Sequence, residues 1–282
     1  MSSREIMFND WHKKFRAPVI PVDQAPYFVC FMDLLGSSEH IKRSRDKRFV
    51  EEFHAILDIC DQIDRSDSPI RIKTFSDNLC LLDPLPKEKD EARLAFRAFA
   101  ASVANLQTLL LMHTEEWVRG GIVAGNAFVD EHFVWGDALV SAVELEKRAN
   151  IPLIEIALPT VEEYVVSNCD GLVLRLGKEH PFINYFAVLT KENIDKILKL
   201  FQFQIGNKIS EWDKPITLDA QSDKIAWAVA YYNTMAKKFG YDELIFSFTD
   251  GKDTCSSILR LERIDDTGVG TPPTKDKHET DL

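Results

Sequence analysis

Six apolar residues in succession, positions 27–32, end on the carboxylate of Asp33. A run of that length and composition predicts a central strand over residues 27–33. Gly36, Ser37, Ser38 and Glu39 follow and open a charged helix to about residue 63, with serine as its N-cap. Residues 70–75 and 79–82 predict a second and a third strand, and Ser76, Asp77 and Asn78 between them have hairpin-turn composition. Residues 87–113 predict a long helix with Leu94, Phe96, Phe99, Val103, Leu106 and Leu110 on its apolar face. A fourth strand is expected at 117–124, and residues 125–128 then turn into a short hairpin ending near Trp135. A helix over 136–150 and a strand over 151–158 complete this part.

The order strand, helix, strand, strand, helix, strand predicts an α+β fold: a ferredoxin-like split βαβ core, its central mainly antiparallel sheet flanked by helices. In that arrangement the first strand is expected beside the second. Residues 1–26 divide into a short helix and a linker carrying Pro18, Pro21 and Pro26, and residues 27–158 form the core. Residues 159–264 read as additions packed on that core: a strand pair at 172–189, helices at 191–212 and 218–239, and two final strands. Residues 265–282 are rich in Thr, Pro, Gly, Asp and Lys and are expected to be disordered.

Charge narrows the partners. The 282 residues carry 34 Lys plus Arg against 45 Asp plus Glu, a formal net charge of -11. So acidic a chain is a poor match for non-specific nucleic-acid binding, which works by neutralising phosphates. A nucleotide in a locally basic pocket stays compatible with it. The 5 cysteines are scattered and form no C-x-x-C pair, which fits a reducing compartment. No signal-peptide pattern precedes the core and the apolar runs fall short of a membrane span, so a cytoplasmic protein is expected.

Two carboxylates carry the candidate chemistry. Asp33 ends an apolar strand and Asp77 sits at the tip of an apolar hairpin. A charge in either place costs several kcal/mol unless it is paired or binds a metal. If the end of the first strand meets the hairpin turn, the pair makes an oxygen-rich site suited to Mg²⁺ or Mn²⁺. The strand-to-helix turn with Gly36 and Ser37 would face the same edge, where backbone N–H groups can hold phosphates. The plainer alternative is that Asp33 caps a helix and Asp77 only makes a turn.

Four segments match a known pattern in order. Residues 31–37 (Phe-Met-Asp-Leu-Leu-Gly-Ser), 72–78 (Ile-Lys-Thr-Phe-Ser-Asp-Asn), 119–125 (Arg-Gly-Gly-Ile-Val-Ala-Gly) and 134–139 (Val-Trp-Gly-Asp-Ala-Leu) resemble the class III nucleotidyl cyclases. Residues 136–146 and the later Lys224, Trp227, Tyr231, Tyr232 and Asn233 look more like the stand-alone Pycsar pyrimidine cyclases. Those bacterial anti-phage enzymes make cyclic UMP or cyclic CMP, which activates a separate effector protein. The resemblance implies two Mn²⁺ or Mg²⁺ ions per site, held by Asp33, Asp77 and the carbonyl of Leu34. It also implies a homodimer with each active site built from both chains.

This chain departs from the family pattern in two places. Lys73 stands where adenylyl cyclases have the lysine that contacts adenine, but its acidic partner, two residues before the Trp-Gly pair, is replaced by Phe133. The ribose-orienting Asn and the transition-state Arg fall on Val140 and Glu144. Arg148, one turn beyond Glu144, and Arg119 are the candidates to replace the missing charge. Tyr27 and Phe31, on Asp33's face by strand alternation, could with Phe133 fill the space around a small pyrimidine. They also suit plain core packing. The expected function is cyclisation of UTP, less so CTP, to the 3′,5′-cyclic monophosphate. The alternatives are an adenylyl or guanylyl cyclase of the same fold and a cyclase-fold module that binds nucleotide without turnover.

Overall fold

Strand β1 (Ala25–Leu35) is paired along both edges. β3 (Asn78–Pro84) runs antiparallel on one side, β4 (Trp117–Val129) antiparallel on the other, and β2 (Arg71–Phe75) lies beyond β3. The computed structural model describes residues 23–35, 47–64, 68–114, 116–131, 133–149, 151–165, 169, 171–176, 180–210, 220–241, 248–250, 253–255 and 261–263. The order β4-β1-β3-β2 is the split βαβ arrangement, and the fold is α+β with a mainly antiparallel central sheet. One expectation is corrected: β3 lies between β1 and β2, so the first strand is not beside the second. Strand order is set by long-range pairing, which local hydrophobic pattern does not encode.

The second half lengthens the same sheet. β6 (Ile154–Ile156) pairs parallel with β4, and β8 (His180–Ile183), β7 (Val173–Leu176) and β11 (Leu261–Arg263) follow outward. β5 (Val134–Trp135) folds back on the end of β4, and β9 (Phe248–Asp250) pairs with β10 (Asp253–Cys255) separately. Among the described residues after 241 there are three short strands where two were expected. The expected strand at 151–158 is shorter because Pro159, in the first turn of a helix, redirects the chain at Leu158.

β1 alternates its side chains between two cores. Phe28, Cys30, Met32 and Leu34 enter the larger one, under α1 (Lys47–Asp64), α2 (Lys89–Thr114), α4 (Leu158–Tyr164), α5 (Lys191–Ser210) and α6 (Ala220–Phe239). The Phe28 ring sits 5.3 Å from Phe96, 5.9 Å from Phe99 and 5.1 Å from Tyr164. Burying such a ring stabilises by roughly 2–3 kcal/mol. α2 is the one described helix long and apolar enough to cross a membrane, yet its Phe96, Phe99, Val103 and Leu110 are fully buried in this core. Leu94 is 68% exposed and not on that face, because two positions along a helix turn a side chain to the far side. Trp227, Tyr231 and Tyr232 of α6 pack in the core, Trp227 against Phe182.

Tyr27, Val29 and Phe31 face the other way, into a smaller core with α3 (Asp137–Arg148). Among the described residues, α3 is the only helix that enters this cluster. Its close seat on β4 depends on missing side chains. A Cβ on Gly121 would lie 2.5 Å from the Ala142 carbonyl oxygen and 2.7 Å from Leu145 Cβ, and one on Gly125 would lie 3.2 Å from Ala138 Cβ. Gly125 therefore belongs to the strand and serves packing, not turning. β4 runs on to Val129, which corrects the expected turn at 125–128.

Candidate functional site

The two aspartates meet through β3. Asp33 is two residues before the end of β1, in register with Asn78 on one side and Arg119 on the other. Asn78 begins β3 directly after the two-residue turn of Ser76 and Asp77, since Phe75 pairs with Asn78. Ser76 adopts φ 61°, the left-handed conformation that so short a hairpin demands, at a cost on the order of 1 kcal/mol for serine. Asn78 Nδ2 donates to Asp77 Oδ1 at 3.3 Å and to the Phe75 carbonyl at 3.3 Å, which steadies the turn.

Asp33 is tied to Arg119. Arg119 donates from Nη2 at 3.0 Å and from Nε at 3.3 Å, both to Asp33 Oδ2. The Asp33 side chain is 19% exposed and that of Arg119 is 25% exposed. Burial pushes the Asp33 carboxyl above its ordinary pKa, the Arg119 hydrogen bonds and charge pull it back, and the nearby Asp77 charge pushes it up again. The structure therefore places Asp33 within reach of the Asp77 charge. Lys224, from α6, adds a further positive charge that favours ionised Asp33, while burial lowers the pKa of Lys224 itself.

On its other side Arg119 meets Glu146 of α3. Glu146 Oε1 lies 2.5 Å from Arg119 Nε, with the Glu146 side chain 4% exposed. This is an ion-pair contact only: the Nε–H bond is aimed at Asp33, and Glu146 Oε1 accepts no hydrogen bond. Burial raises the Glu146 pKa, Arg119 lowers it, and Asp33 raises it further. Ala138, Ala142, Leu145 and Glu146 form the buried side of α3, so Glu146 is carried to Arg119 by the same seat that needs Gly121. Glu146 and Lys224 enter the sequence reading only within the stretches that resemble the Pycsar cyclases, with no place at the site assigned to either. A glutamate in an i, i+4, i+8 row with Ala138 and Ala142 was the available signal.

The other candidate residues divide. Tyr27 and Phe31 lie on Asp33's face of β1, partly buried against the smaller core. Lys73 pairs across β3 with Cys80, on the same face as Phe31. Its Nζ donates to the Glu131 carbonyl at 3.5 Å, so it reaches the turn that carries Phe133. Phe133 is 46% exposed, its ring 5.4 Å from Phe128 and its N–H donating to Asp130 Oδ1 at 2.9 Å. Arg148 is exposed at the end of α3, and no hydrogen bond or ion pair joins it to Asp33 or Asp77 among the described residues. Leu34 buries its side chain in the larger core, so only its backbone carbonyl could serve an ion. Gly36 and Ser37 lie outside the described residues.

No protein-family model matches this chain, and no curated protein matches it. Among solved structures it is similar to the guanylyl cyclase Cya2, with 15% identity, a TM-score of 0.42, and coverage of 58% of this chain and 92% of that one. It is similar to the adenylyl cyclase CyaB from P. aeruginosa, with 14% identity, a TM-score of 0.45, and coverage of 58% and 96%. It is also similar to the guanylyl cyclase domain of the RhoGC fusion protein from the aquatic fungus Blastocladiella emersonii, with 15% identity, a TM-score of 0.44, and coverage of 58% and 98%. Likeness at that level assigns no activity to this chain.

Proposed function

We propose that this chain is a nucleotidyl cyclase that uses a pyrimidine nucleoside triphosphate, UTP before CTP. The observation that carries the reading is the placement of Asp33 at the end of β1, beside the hairpin turn of Asp77 and within reach of its charge, with Arg119 bonded to it. Among the described residues no three His, Cys, Asp or Glu side chains gather into a ready-made cation cage. Two carboxylates and one carbonyl, from Asp33, Asp77 and Leu34, are nevertheless the donor set that Mg²⁺ or Mn²⁺ takes when substrate phosphates supply the rest. Ions held there would lower the pKa of the ribose 3′-hydroxyl and offset phosphate charge.

The residues of the chain supply the remaining parts. In the reaction the 3′-oxygen bonds to the α-phosphorus and pyrophosphate leaves. Arg119, once off Asp33, is a cation within reach of the polyphosphate. Lys73 at the turn bearing Phe133 reads the base, and the lack of an acid at Phe133 disfavours a purine partner pair. Tyr27 and Phe31 narrow the space beside it. Phe75, Phe133, Trp135 and Val140 are exposed large apolar residues, which suits a second copy of the chain. Arg148, exposed on α3, would then serve the partner's site. The product would act on a separate effector in anti-phage defence, in a cytoplasmic setting that suits the buried thiols of Cys30, Cys60 and Cys80.

A second reading, nucleotide binding without turnover, is favoured by Glu144, which stands exposed where the family resemblance places an arginine. Incubation of the full chain with ATP, GTP, CTP and UTP and Mn²⁺, with products identified by mass spectrometry, separates the two. A cyclic pyrimidine monophosphate supports the proposal, a cyclic purine product moves it to the adenylyl or guanylyl alternative, and bound nucleotide without product supports the binding module.

A further inference from the structure

The site holds one feature that the cyclase reading does not use. Glu146 is a nearly fully buried carboxylate whose Oε1 touches Arg119 Nε at 2.5 Å and accepts no hydrogen bond. Arg119 meanwhile spends both Nε–H and an Nη2–H on one oxygen of Asp33, the carboxylate that the proposed ions need. A divalent cation that takes Asp33 through both carboxylate oxygens competes with the guanidinium for Oδ2, where both Arg119 hydrogen bonds fall. Without a second anion the guanidinium would leave a partly buried place for water. A buried acceptor already in ion contact, and lacking its hydrogen bond, offers the alternative place.

We infer that Glu146 is a positioning residue: it takes the Nε–H of Arg119 from Asp33 when a divalent cation binds, so Asp33 is freed while the guanidinium stays in the site. A small rotation of the Arg119 head is enough, because Oε1 is already nearer to Nε than Asp33 Oδ2 is. The inference rests on the cation site of the proposed function. It adds to that proposal a reason for burying a glutamate on α3, and for seating that helix so tightly on Gly121.

The test needs no nucleotide. The full chain, as wild type, Glu146→Gln and Glu146→Asp, is titrated with MgCl₂ while the Nε–H resonance of Arg119 is followed in ¹⁵N-labelled protein. The resonance is assigned by its loss in Arg119→Lys. In the wild type the signal should move along one saturable curve and stay sharp, as its acceptor changes within a shielded site. In Glu146→Gln, whose amide oxygen still accepts but brings no charge, the saturated signal should be broader than in the wild type, with a Mg²⁺ dissociation constant about tenfold higher. Glu146→Asp should fall between the two, and it carries the test if the glutamine variant does not fold. An unchanged dissociation constant and an equally sharp signal in the glutamine or, failing that, the aspartate variant would overturn the inference while leaving the cation site standing. A wild-type spectrum indifferent to Mg²⁺ would overturn the cation site itself, and the inference with it.

Discussion

Substituting Gly121 by alanine should damage both the fold and the site. The added Cβ would stand 2.5 Å from the Ala142 carbonyl oxygen and 2.7 Å from Leu145 Cβ, with the Glu146 amide nitrogen at 3.1 Å. Ordinary contact begins near 3.4 Å, and the first two of these atoms are backbone or fixed by it, so no flexible side chain can yield. α3 must lift from β4 by the better part of an ångström. Overpacking of that kind costs about 2–3 kcal/mol. Gly125→Ala is the internal comparison: its Cβ would lie 3.2 Å from Ala138 Cβ, a contact that a few tenths of an ångström relieve, and it should cost under about 1 kcal/mol. Urea unfolding of both variants gives the two costs, and Mn²⁺ titration of each reads whether Glu146 and Arg119 keep their places. Equal midpoints for the two variants, or Gly121→Ala with wild-type stability and cation affinity, would refute the close seat of α3.

Two further outcomes follow from single side chains. Asp83 is 4% exposed, and burial raises its pKa to about 6. The sign is the reverse of a salt-bridged aspartate: the folded state binds this proton more tightly, so stability falls as pH rises from about 4 to about 6 and stays reduced above that. Asp83→Asn should therefore gain up to about 2 kcal/mol relative to wild type at pH 8 and little at pH 4, read by thermal unfolding at both; an equal effect at both pH values would contradict it. Phe133→Asp gives Lys73 the acid that its position lacks, and should raise turnover of ATP relative to UTP by about tenfold in a competition assay. No change in that ratio would remove Lys73 and Phe133 from base reading.

Much of this was legible in the chain because it is written locally. The apolar run that stops at Asp33, the hairpin around Asp77 and the helix bearing Phe96 and Phe99 each announce themselves within a few residues. What stayed hidden depends on distant partners. Nothing near residue 71 says that β3 will come between β1 and β2. Gly125 has the composition of a turn, and only the approach of Ala138 explains its place inside β4. Glu146 is one of several acids on α3 and reads as solvated until the helix is laid against Arg119. Lys224 approaches Asp33 from a helix almost two hundred residues later, where sequence offers no such proximity. Arg148, chosen because it stacks one turn after Glu144, is exposed and joined to neither aspartate.

The most direct test of the central claim is the mass-spectrometric yield of cyclic nucleotide from UTP and Mn²⁺, in wild type and in Asp77→Asn. Asp77 is the better choice for substitution, since changing Asp33 also strands Arg119. The account predicts cyclic UMP from the wild type and at least about a hundredfold less from the variant. Equal product from both proteins would show that the paired carboxylates do not carry the reaction.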